Sequence, residues 1–287
     1  MSARKKTTKN HRVPDQGRGR EPRRQHDSAA VGSGPADRIH GVNPVLEALR
    51  SGRRAIEHIA IAEGARHERL REMLELAKAA KVPVRRVPRL DIERAGGNAI
   101  HQGVVARIAA ARYADAEALL DQLAAQVSTD QEPLALCLDG LEDPRNFGAV
   151  LRTAECAGVQ AVFTTERRAV GLTETVAKAA AGALEYVSVA RVPNLARLIE
   201  QLKERNIWVV GTAADAPREY TDWDWKLPTA VFVGSEGAGL HRLVRERCDV
   251  LLRIPTAGHL ESLNVSVATG IVLYEALRQR RISKGTV

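Results

Sequence analysis

Few cysteines and no long apolar run occur in this sequence. The three cysteines among its 287 residues, Cys137, Cys156 and Cys248, are far apart and fit no zinc or redox spacing. They are typical of reduced, partly buried thiols in a cytoplasmic protein. No run reaches the ~18 apolar residues of a membrane-spanning helix, and the basic N-terminal segment lacks the apolar stretch of a secretory signal. We therefore expect a cytoplasmic protein that binds neither a metal nor a membrane.

Positive charge is concentrated at the N-terminus. The formal net charge is +8, and residues 1–38 hold ten lysines and arginines against four acidic residues. Residues 1–36 are rich in Arg, Lys, Gly and Pro and poor in large apolar side chains, which predicts a basic disordered tail. Such a tail can attract phosphate backbones without reading sequence, or it can be a solvated extension with no role. The charge alone leaves both interpretations open.

Residues 37–112 predict a small α/β domain. Asn43-Pro44 begins an amphipathic helix, with proline near the first helical position. Apolar periodicity then predicts a second helix at Glu68–Ala80 and strands at Ile56–Ala62, Val82–Val87 and Val104–Ile108. Residues 113–132 predict a helical linker that ends in a polar run.

Residues 133–287 predict a second α/β domain, in which strands alternate with helices. The predicted strands are Leu134–Leu138, Ala161–Thr164, Ile207–Gly211, Ala230–Val233 and Val250–Ile254. The predicted helices are Phe147–Ala157, Glu174–Ala181, Leu195–Arg205, Leu240–Arg247 and Val265–Arg280. The alternation predicts a mostly parallel sheet with helices on both faces. Sheets of this kind bind ligands at the carboxyl ends of their strands.

The first of three segments at predicted strand ends is Asp139–Ala154, which reads DGLEDPRNFGAVLRTA. Asn146 and Arg152 lie six residues apart in it. A helix that begins near Phe147 would place Arg152 between one and two turns in, so that both polar side chains could reach one pocket. Taken alone, the segment is better explained by a capped helix with an exposed arginine.

The second segment is Phe232–Leu240, which reads FVGSEGAGL. Its glycines allow close approach of the backbone after a buried strand. Their spacing, GxxGxG, is not the GxGxxG pattern of dinucleotide-binding proteins, which argues against a nicotinamide-dependent oxidoreductase. Glu236 in this loop is unfavourable for a pyrophosphate but compatible with a cationic ligand or with a hydrogen-bonding role.

The third segment is Ile254–Ala268, which reads IPTAGHLESLNVSVA. A polar loop here enters the last helix through Ser262, Asn264 and Ser266. Ser and Asn are common helix-capping residues, so each of them has a structural explanation by itself. His259 is a candidate for acid–base chemistry, although a loop histidine is more often simply exposed to solvent.

Together, in order and spacing, the three segments resemble the signature motifs of the SpoU family of the SPOUT methyltransferase superfamily. The small domain also resembles the family's RNA-binding domain, which is related to ribosomal proteins that hold kinked RNA. The resemblance is carried by Ile39–Val45 (IHGVNPV) and His101–Ala106 (HQGVVA). These two stretches are similar to the start and end of that domain in the 23S ribosomal RNA guanosine-2′-O-methyltransferases.

The resemblance implies a C-terminal SPOUT domain with a deep trefoil knot, which is an exception to the rule that folds are unknotted. It implies S-adenosylmethionine as the cofactor, held mainly by backbone contacts at Gly234, Ile254 and Leu263. It also implies a homodimer with its active site at the subunit interface. The residues that match the family's functional positions are Asn146, Arg152, Glu236, Ser262 and Asn264.

The implied reaction is transfer of a methyl group to the ribose 2′-hydroxyl of a guanosine in the peptidyl-transferase P loop of 23S ribosomal RNA. The alternatives are a transfer RNA or another ribosomal nucleotide as substrate, and a non-catalytic RNA-binding protein of ribosome assembly. Thr256 departs from the methionine that the family often has after Ile-Pro, and we expect altered packing there without loss of activity. We expect Arg152 to clamp a phosphate rather than act as the base, because a guanidinium stays protonated in proteins.

Overall fold

The structure of the protein is a computed structural model that describes residues 36–96, 101–130, 132–260 and 262–283. The predicted basic tail lies outside the described residues, apart from Ala36. Among the residues described, no helix is long and apolar enough to cross a membrane, and no cluster of His, Cys, Asp and Glu could hold a metal ion.

The first part of the described chain is a small α/β domain. Its strands are β1 (Ala36–His40), β2 (Ile56–Ala62), β3 (Val84–Val87) and β4 (Val104–Ala109), and its helices are α1 (Val42–Ser51), α2 (Leu70–Ala79) and α3 (Arg89–Gly96). The strand order is β1-β4-β2-β3, with β4 antiparallel to both neighbours. Neither β1 nor α3 is predicted from the sequence, because each is short and rich in charged residues.

Helices cover both faces of this small sheet. On one face, Leu46 of α1 and Met73 of α2 are fully buried against Ile59, Ile61 and other sheet residues. On the other face, Ile92 of α3 packs with Ala62 and Val105. The predicted pattern of apolar positions in α1 and α2 therefore corresponds to the buried helix faces.

The second part is a larger α/β domain. Its strands are β5 (Leu134–Asp139), β6 (Ala161–Thr165), β7 (Ser188–Val192), β8 (Trp208–Thr212), β9 (Arg218–Glu219), β10 (Thr229–Gly234) and β11 (Val250–Arg253). Its helices are α4 (Ala116–Ala124), α5 (Pro144–Cys156), α6 (Glu174–Ala180), α7 (Leu195–Glu204), α8 (Arg242–Arg247) and α9 (Val265–Ser283). The seven strands are parallel and lie in the order β7-β6-β5-β10-β8-β11-β9.

The large sheet is covered on both faces, as predicted. Side chains of β5 alternate between two cores: Leu136 faces a cluster that includes α5, α6 and α9, and Cys137 faces a cluster that includes α4, α7 and α8. Because α4 buries Leu119 and Leu120 in the second cluster, the segment predicted as a linker contributes to the core of this domain.

The strand order brings the three segments singled out in the sequence to one edge of the sheet. β10 lies between β5 and β8, and β11 lies beside β8. In parallel sheets the carboxyl ends of neighbouring strands meet, so the loops after β5, β10 and β11 converge. The trefoil knot implied by the resemblance stays a prediction.

A half-buried arginine fastens the C-terminal helix to the sheet. Arg280 of α9 donates hydrogen bonds to the backbone carbonyls of Trp225 (2.7 Å), Leu227 (3.0 Å) and Pro133 (3.1 Å), and also to that of Glu132. Burial lowers the pKa of Arg280 to about 10. These bonds join α9 to the starts of β5 and β10.

We expect Arg280→Met to lower the free energy of unfolding by about 3 kcal/mol, because several buried carbonyls would lose a charged donor. Urea denaturation of the variant measures this change. Arg281→Met is the matched control, since Arg281 is the exposed neighbour on the same helix. Equal losses in the two variants would contradict the role assigned to Arg280.

Candidate active site

A cavity of about 600 Å³ lies at the carboxyl edge of the large sheet, between the loops that follow β8, β10 and β11 and the start of α9. Of the eight residues that the resemblance assigns to catalysis or cofactor binding, six line this cavity: Gly234, Glu236, Ile254, Ser262, Leu263 and Asn264. Thr256, where the sequence departs from the family pattern, also lines the cavity. His259 is exposed and is not one of the lining residues.

The glycine-rich loop after β10 forms one wall of the cavity. Ser235 and Gly239 hydrogen-bond to each other through both backbone amides, at 3.1 and 3.0 Å, which closes the loop tightly. A Cβ at Gly234 would lie 2.0 Å from the carbonyl carbon of Gly239. Position 234 therefore requires glycine for steric reasons, since any side chain would force the loop open.

Asn146, Glu236 and Asn264, one from each sequence segment, form a hydrogen-bonded cluster beside the cavity. The Nδ2 group of Asn146 donates to Glu236 Oε1 at 2.8 Å, and that of Asn264 donates to the same oxygen at 2.7 Å. Asn264 Nδ2 also lies 3.1 Å from Asn146 Oδ1. The carboxylate of Glu236 thus ties the glycine-rich loop to the starts of α5 and α9.

Helix capping places the two asparagines of this cluster. The carboxylate of Asp143 accepts hydrogen bonds from the backbone amides of Arg145 and Asn146, so α5 begins at Pro144, three residues earlier than predicted. Asn264 Oδ1 accepts from the backbone amide of Ser266 at 2.9 Å. Asn264 therefore caps α9 with its oxygen while its Nδ2 group binds Glu236.

Arg152 lies apart from the cavity within this chain. It is exposed on α5, is not one of the cavity's lining residues, and its side chain makes no hydrogen bond with another described residue. Neither Asn146 nor Arg152 lines this cavity, so the expectation that both reach one pocket stays a prediction. Six residues of an α-helix turn through about 600°, so these two side chains leave α5 in directions about 120° apart.

Two acidic residues near the loop were not identified from the sequence. Asp215 lines the cavity and accepts a hydrogen bond from Arg245 at 2.8 Å, which holds the pKa of the Asp215 carboxyl below its usual value. Asp139 is buried at the end of β5, binds the backbone amide of His241 at 2.7 Å and lies 2.8 Å from its ring Nδ1. Each aspartate follows a predicted strand in the sequence: Asp139 comes directly after Leu134–Leu138, and Asp215 lies in the loop after Ile207–Gly211. Those positions could have indicated a place near the carboxyl edge of the sheet.

The cavity suits S-adenosylmethionine in size and chemistry. Its volume falls within the ~300–1,000 Å³ of typical small-molecule sites. The apolar side chains of Val233, Leu252 and Ile254 can pack against an adenine ring, and Gly234 and Leu263 line the same space. The carboxylates of Glu236 and Asp215 are compatible with a ligand that carries a sulfonium and an ammonium group.

Two family models match the chain. Residues 133–274 match the SpoU rRNA Methylase family, and residues 38–114 match the RNA 2′-O ribose methyltransferase substrate binding domain. The first match contains the cavity and all three sequence segments, and the second contains the last three residues of β1 together with β2, β3 and β4.

Individual proteins agree with the family models. The chain is 44% identical over 244 residues to YacO of Bacillus subtilis (strain 168), whose name assigns it to the TrmH family of tRNA/rRNA methyltransferases; the alignment covers 85% of this chain and 96% of YacO. An S-adenosylmethionine-bound rRNA methyltransferase from Sinorhizobium meliloti shares the fold, with a TM-score of 0.68, 26% identity and coverage of 85% of this chain and 87% of that one.

A TrmH/SpoU tRNA modifying enzyme from A. aeolicus is also similar, with a TM-score of 0.50 and 31% identity. The alignment covers only 59% of this chain and 86% of the A. aeolicus enzyme. The residues that match the SpoU rRNA Methylase family include those that line the cavity and those of the hydrogen-bonded cluster beside it. The chain belongs to the SpoU family of RNA 2′-O-ribose methyltransferases, which use S-adenosylmethionine as the methyl donor.

Proposed function

We propose that the protein methylates the ribose 2′-hydroxyl of a guanosine in the peptidyl-transferase P loop of 23S ribosomal RNA. The observation that supports this substrate is the small domain at residues 38–114, which matches the family's substrate-binding model. The rRNA methyltransferase from S. meliloti is similar over 85% of the chain, whereas the tRNA modifying enzyme from A. aeolicus is similar over 59%. We infer that an rRNA substrate explains the two-domain chain better than a tRNA.

In this mechanism the protein contributes mainly by positioning the reactants. When bound, S-adenosylmethionine would supply its sulfonium methyl group to the ribose 2′-oxygen and would leave as S-adenosylhomocysteine, while the proton of the hydroxyl would pass to solvent. Alignment of the two reacting atoms can account for much of the rate enhancement. Glu236, Asn146 and Asn264 hold the glycine-rich loop. Ser262 lines the space beside it, and Gly234, Ile254 and Leu263, which line the same cavity, would hold the cofactor.

Arg152 is assigned to the RNA rather than to the cofactor. A guanidinium stays protonated at physiological pH, so it cannot accept the proton of the 2′-hydroxyl without assistance. It can instead clamp the phosphate next to the target ribose and stabilise the developing alkoxide. Its exposure on α5 agrees with contact to a ligand or a partner that lies outside the single chain.

We also propose that the functional unit is a homodimer in the cytoplasm. The outer side of α9 carries exposed apolar residues, among them Val267 and Tyr274, which are 50% and 52% exposed. These two residues are seven positions apart and therefore share one helix face. Since α5 packs beside α9, a second copy on this face would come close to Arg152.

Tyr274→Glu is expected to convert the dimer to a monomer, because the substitution would bury a charge in the contact between subunits. Light scattering coupled to size-exclusion chromatography measures the mass. Leu243→Glu is the matched control: Leu243 is 51% exposed on α8 and should not affect the dimer. A monomeric wild-type protein, or a dimeric Tyr274→Glu variant, would contradict this interface.

The test of the substrate is a map of 2′-O-methyl groups in total RNA from cells with and without this protein. We expect one methyl group to be lost, at a P-loop guanosine of 23S RNA. A loss in transfer RNA or at another ribosomal nucleotide would replace the proposed substrate. Binding of S-adenosylmethionine without methyl transfer to any RNA would instead favour a non-catalytic role in ribosome assembly.

A further inference from the structure

The small domain and the large domain are joined by a buried ion pair. Arg54, between α1 and β2, donates to Glu185 Oε1 at 2.9 Å, and the two side chains are only 10% and 3% exposed. The Nε of Arg54 also donates to the carbonyl of Ala109 at the end of β4. The arginine is thus held by its own domain while it binds Glu185, which follows α6 in the large domain.

Three further contacts join the same surfaces. His40, buried at the end of β1, pairs with Glu174 at the start of α6. Arg53 donates to the backbone carbonyl of Tyr186 at 2.8 Å. The hydroxyl of Tyr186 donates in turn to Glu47 of α1 at 2.7 Å. The junction therefore consists of directional polar contacts. On the side of the large domain, α6 and the turn after it supply these contacts.

The buried pair favours a single arrangement of the two domains. Burial raises the pKa of the Glu185 carboxyl, and the charge of Arg54 opposes that rise. A buried carboxylate that loses its cationic partner raises the free energy of the folded protein. Any movement that separates Arg54 from Glu185 is therefore disfavoured. An exposed pair such as Arg71–Glu75 on α2 contributes little by comparison.

Tight helix packing continues from this junction to the active site. A Cβ at Gly148 of α5 would lie 2.4 Å from the Cβ of Ala179 and 2.7 Å from the carbonyl of Val176, both on α6. The two helices are therefore in close backbone contact. Because α5 carries Asn146 and Arg152 and packs closely on α6, the position of α6 contributes to where these two residues lie.

We propose that Arg54 and Glu185, supported by His40 and Glu174, form an inter-domain lock that fixes the distance between the bound RNA and the methyl-transfer site. They are positioning residues that determine which nucleotide is presented for methylation. The identity of that RNA rests on the proposed function, whereas the rigid junction does not. Without the lock, the small domain would still bind RNA but would present it in several positions.

The first test measures the geometry of the junction. Spin labels at Lys78→Cys and Glu204→Cys, two exposed positions in different domains, report the inter-domain distance by pulsed electron resonance. The exposed Cys156 is replaced by serine, and excess unlabelled chain removes signals between subunits. We expect one narrow distance distribution in the labelled protein that retains Arg54. We expect a broad distribution in the same labelled protein with Arg54→Ala. A broad distribution with Arg54 present, or a narrow one in the variant, would overturn the lock.

The second test separates positioning from binding. In single-turnover assays with saturating RNA, Arg54→Ala should slow methyl transfer by about tenfold to a hundredfold, as expected for misplaced reactants. Affinities for RNA and for S-adenosylmethionine should stay close to those of the wild type. Arg54→Lys should recover part of the rate, since its ammonium can still pair with Glu185, and Arg71→Ala is the control. An unchanged rate in Arg54→Ala, or an equal loss in Arg71→Ala, would overturn the proposal.

Retained affinities for RNA and for the cofactor together show that both domains of a variant are folded. If Arg54→Ala does not fold, Glu185→Gln keeps the shape of the side chain and replaces it in both tests. The assays use total ribosomal and transfer RNA, so that the substrate need not be assumed. Narrow distances together with methyl transfer only to transfer RNA would refute the proposed substrate and leave the lock intact.

Discussion

Arg152→Ala is expected to reduce the turnover number by about 10²–10³-fold, the loss typical when a donor that stabilises developing charge is removed. The affinity for S-adenosylmethionine should hardly change. The reason is geometric: Arg152 is exposed on α5 and does not line the cavity that suits the cofactor. Turnover is measured by transfer of labelled methyl groups to RNA, and cofactor affinity by calorimetry.

Arg197→Ala is the matched control for this experiment, because Arg197 is an exposed arginine on α7, on the opposite face of the sheet. It should leave both quantities unchanged. An equal loss of turnover and of cofactor affinity in Arg152→Ala would contradict the assignment of Arg152 to the RNA. Arg152→Lys should stay well below the wild-type rate, since a lysine cannot offer two parallel hydrogen bonds to a phosphate.

Gly234→Ala is expected to lower the affinity for S-adenosylmethionine by more than about tenfold, a difference of ~1.4 kcal/mol in binding free energy. The new methyl group would lie 2.0 Å from the carbonyl carbon of Gly239 and 2.3 Å from the amide nitrogen of Leu240. Both contacts are with backbone, so the loop must open and the cavity wall must move. We also expect the free energy of unfolding to fall by about 1–3 kcal/mol, as in overpacked cores.

Gly258→Ala provides the comparison, because a Cβ at Gly258 would meet nothing within 4 Å. Calorimetry with the cofactor and urea denaturation measure the two effects. If Gly234→Ala bound S-adenosylmethionine as the wild type does, the closed loop between Ser235 and Gly239 would not be the wall of the cofactor site. The Gly258→Ala variant should match the wild type in both measurements.

Local sequence patterns predicted most helices and strands of the fold. The reason is that an element with one buried face has apolar residues at regular spacing along the sequence. The strand at Ile56–Ala62 was predicted to the residue, and those at β5, β6, β8, β10 and β11 to within one or two residues. Elements without such periodicity were missed, among them β7, which was not predicted, and the two-residue β9. The start of α5 was placed too late because the capping role of Asp143 was not identified.

The sequence also identified three segments whose resemblance to the SpoU motifs indicated the family and the cofactor. It could not say which of their residues would meet, since that depends on the order of strands in the sheet. The tertiary structure places β10 between β5 and β8, and this order brings Asn146, Glu236 and Asn264 onto one hydrogen-bonded cluster. Helical geometry separates Arg152 from that cluster within the chain.

The junction between the domains was determined by tertiary structure alone. Arg54 and Glu185 are 131 residues apart, and neither belongs to a motif, so nothing local in the sequence relates them. Composition and periodicity determine which segments form helices and strands, because those depend on near neighbours. Which distant side chains meet depends on strand order and helix packing, and these placed a buried ion pair between the RNA-binding and methyl-transfer domains.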